Sequence, residues 1–284
     1  MHKLTMMALR ASVAGGQAIM KIYDKEDFQV MLKSDKSPLT EADINSHYAI
    51  DAILSTSDIP VLSEEGKDLT YEERKNWKQL WVVDPLDGTK EFVKRSDEFT
   101  VNVALVKDQK PIMGVIVAPA LNLVYWGDQD GAYRSVLPKK WLKKDPMEVV
   151  TDLNPVKIPD IKTEDFAVVR SVSHFSAETK EYMDKLDAIH ASIRSMSIGS
   201  SLKMCLVAEG KAQLYPRLGP TMEWDTCAGH AIVEAAGGQL LDWNTKAPML
   251  YNRPELLNGW FMVIGATLDP QYYWLEEEGD DNQK

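Results

Sequence analysis

Leu4, Met7, Ala8, Ala11, Ala14, Ala18 and Ile22 recur at helical spacing, so residues 3 to 22 read as an amphipathic helix with one buried stripe. A second helix is expected to start near Thr40. Between the two, Phe28, Val30 and Leu32 alternate with Gln29, Met31 and Lys33, a faint strand pattern. The clearest β region spans 80 to 126: Leu80 to Val83, then Phe99, Val101, Val103 and Leu105 in alternation, then Ile112 to Val117 and Leu123 to Trp126. Strands spaced so closely predict an antiparallel meander.

The pattern breaks from Leu137 to Phe166, where Lys139, Lys140, Lys143 and Lys144 surround Trp141 and Pro146, Pro155 and Pro159 follow. This stretch reads as a linker or excursion. Beyond it, Ala167 to Arg170 predicts a strand, 176 to 190 a helix, 201 to 209 a helix stopped by Gly210, and Ala212 to Tyr215 a strand. Asp225 to Ala236 predicts a further helix, closed by Gly237 and Gly238 at its left-handed end. Alternating helix and strand is the pattern of a layered α/β unit. The expected divisions are an N-terminal α+β half over 1–136, a linker over 137–166, a C-terminal α/β half over 167–275 and a disordered acidic tail over 276–284.

Composition adds limits. With 284 residues, 44% hydrophobic and 26% charged, the chain is long enough for a large core and lies in the globular range. The formal net charge of −11 repels polyanions and argues against a nucleic-acid polymer as partner. It leaves room for a small anionic substrate, because carboxylates gathered around a cation reverse the field locally. Cys205 and Cys227 are the two cysteines, too few for a disulfide framework or a four-cysteine zinc site. Arg10 and Gln17 interrupt the apolar run before a signal-peptide core is complete, so the cytoplasm is the expected location. The basic segment Lys139 to Lys144 leaves open a peripheral contact with the cytoplasmic face of an inner membrane. No obligate protein partner is evident.

Chemistry concentrates at a few places. Asp84-Pro85-Leu86-Asp87-Gly88-Thr89 follows the hydrophobic strand Leu80 to Val83, where a sheet holds reactive groups rigidly beside an open loop. Two carboxylates around that turn can converge on a hard cation such as Mg²⁺. Taken alone, the segment is equally an ordinary turn with a helix-capping Asp. Glu64 and Glu65 follow Val61-Leu62-Ser63 and read by themselves as exposed turn glutamates. Asp225 opens a helix, which commonly means an N-cap, and Asp43 stands where a capping box after Thr40 places its acid. Gly199-Ser200-Ser201-Leu202-Lys203 starts a helix with two hydroxyls and a cation, a natural seat for an anion, without the spacing of a Walker loop.

Together these segments resemble one family. Leu62-Ser63-Glu64-Glu65, then Trp81-Val82-Val83-Asp84-Pro85-Leu86-Asp87-Gly88-Thr89-Lys90-Glu91-Phe92, then Glu223-Trp224-Asp225-Thr226-Cys227-Ala228-Gly229-His230 with Gly237-Gly238, are similar to the three metal-site motifs of the lithium-sensitive, magnesium-dependent phosphatases of the inositol monophosphatase and fructose-1,6-bisphosphatase superfamily. Lys90-Glu91-Phe92, Ser197 to Lys203 and Ala212-Gln213-Leu214-Tyr215-Pro216-Arg217 resemble its branch of 3′(2′),5′-bisphosphate nucleotidases. The resemblance implies a five-layer α/β/α/β/α sandwich with the active site between its halves.

It also implies roles. Glu64, Asp84, the carbonyl of Leu86, Asp87 and Asp225 would hold two or three Mg²⁺ ions, with Asp84 bridging. Thr89 and Asp43 would orient and deprotonate the attacking water, with Glu64 also counted as catalytic. The substrate surface would combine Glu64, Leu86, Asp87, Gly88, Thr89 and Asp225 with Gly199, Ser200, Ser201 and Lys203. Ser173, His174 and Arg217 would take the second phosphate. The implied reaction is hydrolysis of the 3′-phosphate of adenosine 3′,5′-bisphosphate to AMP, extending to the 3′-phosphate of its sulfated form, by metal-activated water without a covalent intermediate, in the service of sulfur assimilation. Alternatives are an inositol monophosphatase or sugar bisphosphatase of the same superfamily, and a noncatalytic nucleotide or metal sensor. The aspartyl-phosphate enzymes of the haloacid dehalogenase type space their two aspartates by one residue, unlike Asp84 and Asp87. Cys205 and Cys227 are expected as buried helix residues, and His230 as a packing residue.

Overall fold

A computed structural model describes residues 2–25, 30–32, 38–160, 165–170 and 176–275. Phe28, Ser173, His174 and the acidic tail lie outside the described residues.

The first half is built on a seven-stranded sheet. Val61–Ser63 runs parallel to Gln79–Asp87, and Thr100–Lys107, Lys110–Ala118, Leu123–Asp128, Gly131–Val136 and Val156–Ile158 follow antiparallel in chain order. The expected meander is present. Residues 137–166, expected as a linker or excursion, carry the short helix Pro146–Thr151 and the strand Val156–Ile158, which becomes the sheet's last strand. Proline-rich composition obscured them, although Pro146 only occupies a helix's first position, where no N–H is needed.

Alternation along each strand assigns its faces. Trp81 and Val83 join the core beneath the helices Lys3–Tyr23 and Glu41–Leu54, while Leu80 and Val82 face the opposite core. In Thr100–Lys107, Val101, Val103 and Leu105 take the first face and Ala104 and Val106 the second. The second core is filled by the helices Leu202–Glu209 and Glu223–Ala235, which also pack on a five-stranded mixed sheet. That sheet has the order Ile193–Ser197, Phe166–Arg170, Leu214–Arg217, Phe261–Ile264, Gln239–Asp242. The helix Ala177–Ile189 covers its far side through Tyr182 and Leu186. Helix, sheet, helix, sheet, helix give the five-layer α/β/α/β/α sandwich.

Two glycines set the spacing of the middle layer. Gly114 and Gly127 are cross-strand partners, and the helix Glu223–Ala235 lies directly on them. A Cβ on Gly114 would stand 2.8 Å from the Cα of Ala228, and one on Gly127 2.8 Å from the Cα of Ile232. Backbone contact at this distance fixes how deep the helix lies, and therefore where its first turn and Asp225 end up.

Candidate active site

The strand Gln79–Asp87 delivers Asp84 on the face shared by Leu80 and Val82, toward the middle helices. Its partner across the ladder is Asn102; two residues back on that partner strand, Thr100 opposes Asp87. The strand therefore holds one extra residue between the aspartates, a bulge at Pro85-Leu86. Without it Asp87 would point to the other face; with it, both carboxylates turn to one side. Pro85 has no N–H to lose there, and its carbonyl accepts from Ser46 Oγ at 2.7 Å.

Asp225 meets them from the other half. It occupies the third position of the helix Glu223–Ala235, not its N-cap as expected of an ordinary opening Asp, and its Oδ2 accepts from the N–H of Met222 at 2.8 Å. One carboxylate oxygen from each of Asp84, Asp87 and Asp225 lies within 4.8 Å of the others. Glu64 stands beside them: its N–H donates to the carbonyl of Val83 at 3.1 Å, and its side chain is hydrogen-bonded to Asp84. Burial first, then the charges of neighbouring carboxylates, push Asp84 and Asp225 well above the usual carboxylate range. Burial raises Asp87 too, opposed by the Lys203 charge and the Ser201 N–H. Like charges held this close are relieved either by protons, which the raised values favour, or by a cation, which the three carboxylates could hold. The donor set is all oxygen and includes neither histidine nor cysteine, which fits Mg²⁺ and not a softer metal. Cys205 and Cys227 are buried in helices, and His230 is buried against the hydroxyl of Tyr251.

A second pair adjoins the cluster. Thr40 caps the helix Glu41–Leu54, and Asp43 Oδ2 accepts from the Thr40 N–H at 2.8 Å and its hydroxyl at 2.7 Å. The other oxygen, Oδ1, accepts from Thr89 Oγ1 at 3.1 Å, and the same hydroxyl lies 3.3 Å from the Leu86 carbonyl. Burial pushes the Asp43 carboxyl up to about 6, despite the bonds from Thr40 that favour its charge.

The segment 199–203 closes the third side. Ser201 N–H donates to Asp87 Oδ2 at 2.6 Å, so the segment is tied directly to a member of the cluster. The Ser201 hydroxyl donates to Asn102 Oδ1 at 2.8 Å and lies 2.8 Å from Thr100 Oγ1, facing the first half and not a cleft. Gly199 N–H donates to Glu98 at 2.7 Å. Ser200 takes a positive φ of 49°, and its hydroxyl finds no hydrogen-bond partner among the described residues. Lys203, buried and lowered to about 8 by that burial, donates to the Ser200 carbonyl at 2.7 Å. Its ammonium lies 5.9 Å from the Tyr215 ring, and Tyr215 stands two residues before the buried Arg217. Gly88 has φ +88°, and a Cβ there would meet the Glu98 carbonyl at 3.2 Å and Ser200 Cβ at 3.3 Å. Asn102 and Glu98 carry no motif. The one signal for Asn102 is that it and Thr100 are polar on the middle face of a strand that continues there with the apolar Ala104 and Val106.

Residues 1–272 match the inositol monophosphatase family. The chain belongs to that family. Among curated relatives, a 3′(2′),5′-bisphosphate nucleotidase CysQ of Shigella flexneri is 46% identical over 252 residues, 87% of this chain and 94% of the relative. A crystal structure of CysQ from Bacteroides thetaiotaomicron superposes with a TM-score of 0.82 at 43% identity, covering 93% of this chain and 98% of that one. An inositol monophosphatase of Thermotoga maritima, 22% identical, shares the fold with a TM-score of 0.70 over 93% of each chain.

Proposed function

We propose that this protein hydrolyses the 3′-phosphate of adenosine 3′,5′-bisphosphate to AMP and phosphate, with two or three Mg²⁺ ions held by Glu64, Asp84, the Leu86 carbonyl, Asp87 and Asp225. The observation that carries the reading is the bond from Ser201 N–H to Asp87, which joins the acidic cluster to the cationic segment ending at Lys203. The bisphosphate nucleotidase names of relatives at 45% and 46% identity support the nucleotide over inositol or a sugar.

Phosphate monoester hydrolysis is among the slowest uncatalysed reactions, so charge neutralisation and positioning must supply most of the acceleration. Bound at the carboxylates, Mg²⁺ supplies the positive charge that the phosphate dianion needs and lowers the pKa of water. Asp43 then acts as the proton acceptor, reached through the Thr89 hydroxyl that already donates to it. Asp43 keeps this orientation because its second oxygen is held by Thr40. Gly88 leaves the turn bare for the departing phosphate, since any side chain there would crowd Glu98 and Ser200. Lys203 and Arg217 supply charge for the second phosphate, and the Ser200 hydroxyl is left to the nucleotide. Lysines 139, 140, 143 and 144 remain the only ground for a membrane contact; the Trp141 beside them is buried and donates its indole N–H to Asn122 at 2.8 Å, so it offers no aromatic anchor. No helix among the described residues is long and apolar enough to cross a membrane.

Asp225→Asn is expected to abolish phosphate release while circular dichroism and the melting transition stay cooperative. Full activity in that variant would overturn the assignment.

A further inference from the structure

Arg74 takes no part in the proposed reaction, yet only 2% of it is exposed. It ends the short helix Tyr71–Arg74, which is fixed by a capping box in which Glu73 accepts from the Thr70 N–H at 2.8 Å. Its guanidinium crosses to the other half of the molecule. One terminal nitrogen donates to Asn252 Oδ1 at 3.0 Å and the Arg253 carbonyl at 2.6 Å, and the other to the Pro254 carbonyl at 3.0 Å. Asn252 returns the bond, donating from Nδ2 to the Arg74 carbonyl at 2.9 Å. A buried cation is costly unless its hydrogen bonds are met, and here three acceptors from one loop meet both terminal nitrogens, while Nε finds no partner among the described residues.

That loop holds the first turn of the helix that carries Asp225. The fully buried Glu223 accepts from Asn252 N–H at 2.6 Å and from Arg253 N–H and Nε at 3.0 Å each. Arg253 also donates to Asn258 Oδ1, and Asn258 Nδ2 donates to the Met222 carbonyl at 2.8 Å and to Thr226 Oγ1 at 3.1 Å. Met222 N–H in turn donates to Asp225. An unbroken run of hydrogen bonds thus leads from Arg74 in the first half to Asp225 in the second.

We propose that Arg74 is a positioning residue for the metal-binding carboxylates, holding the loop 252–258 so that Asp225 stands in register with Asp84 and Asp87. This rests on the reading of Asp225 as a metal ligand. The cluster needs such a device because two of its members share one rigid strand, while the third sits on a helix that owes its placement to the docking of the two halves. Arg74 fixes the end of that helix at which Asp225 lies.

The test is Mg²⁺ binding to the full-length protein by titration calorimetry without substrate, alongside kcat and the Mg²⁺ concentration for half-maximal rate. Arg74→Met is expected to weaken Mg²⁺ binding by about tenfold or more, within the usual range of coupling between sites, while saturating Mg²⁺ restores kcat to within about threefold. Asn252→Ala, which cuts the same run one step further on, should shift binding in the same direction and decides the matter if Arg74→Met does not fold. Tyr182→Phe is the control for lost stability alone: it removes a bond to the Tyr273 carbonyl in the outer layer and should leave Mg²⁺ affinity unchanged. Wild-type Mg²⁺ affinity in Arg74→Met or, where that variant does not fold, in Asn252→Ala would overturn the proposal. So would a loss that Tyr182→Phe reproduces at equal loss of melting temperature. If the wild-type protein binds Mg²⁺ but releases no phosphate from the nucleotide, the proposed function fails, and the binding comparison still judges Arg74.

Discussion

Asp43 gives one carboxylate oxygen to the backbone and hydroxyl of Thr40 and the other to the hydroxyl of Thr89. The first commitment was legible, because Thr40 and Asp43 stand at capping-box spacing. The second was not derivable from spacing, since 46 residues separate the partners. Only the family resemblance joined them. As the proposed proton acceptor, Asp43 must be ionised, and burial pushes its carboxyl up to about 6. Activity should therefore fall as the pH drops through about 6 or below, where the carboxylate takes up its proton. Asp43→Asn is expected to lower kcat by about 10²–10⁴-fold, the usual contribution of a positioned general base, and to remove that acid limb from the pH profile. An Asn variant that keeps both the rate and the limb would assign the proton to another group.

At the scale of elements, the site depends on a bulge and on a helix seated on glycines. Gly114→Ala is expected to push the helix Glu223–Ala235 off the sheet, because the new methyl meets the backbone of Ala228. Overpacking of this kind costs about 1–3 kcal/mol. Its mark is weakened Mg²⁺ binding beyond that of an equally destabilised variant, measured by calorimetry beside thermal melts. The helices and the meander were readable because each has a strong period: the stripe from Leu4 to Ile22, and alternation from Val101 to Leu105. The bulge was not, because Asp84 and Asp87 give no sign of which strand residues they oppose; Asn102 and Thr100 supply that register. The strand Val156–Ile158 was missed because three residues between prolines, apolar, polar and apolar, are too few to establish a period. Arg74 was missed for a different reason. Its role lies in partners 178 to 180 residues away, a distance at which local pattern says nothing.

For the molecule as a whole, the net charge of −11 includes a knot of carboxylates, Asp84 buried and Asp87 and Asp225 half-buried, that the fold cannot ionise cheaply. Asp84, Asp87 and Asp225 have raised pKa values in the folded, metal-free protein. Their protonated forms are favoured by folding, so their contribution is full below the ordinary carboxylate range and is lost as the pH rises through the folded values. The protein freed of metal by a chelator should accordingly lose melting temperature between acid and neutral pH. Added Mg²⁺ should restore more at neutral than at acid pH, the total gain at neutral pH being about 2.7 kcal/mol at one hundred times its dissociation constant there. An Mg²⁺ stabilisation independent of pH would show that the metal binds elsewhere. A pocket built for a nucleotide carrying two phosphates, as proposed, is tested directly by phosphate release from adenosine 3′,5′-bisphosphate and from inositol 1-phosphate at equal concentration in Mg²⁺. The nucleotide is expected to be hydrolysed at least about tenfold faster, because the wrong substrate leaves buried polar groups unpaired. Faster release from inositol 1-phosphate, or none from the nucleotide, would contradict it.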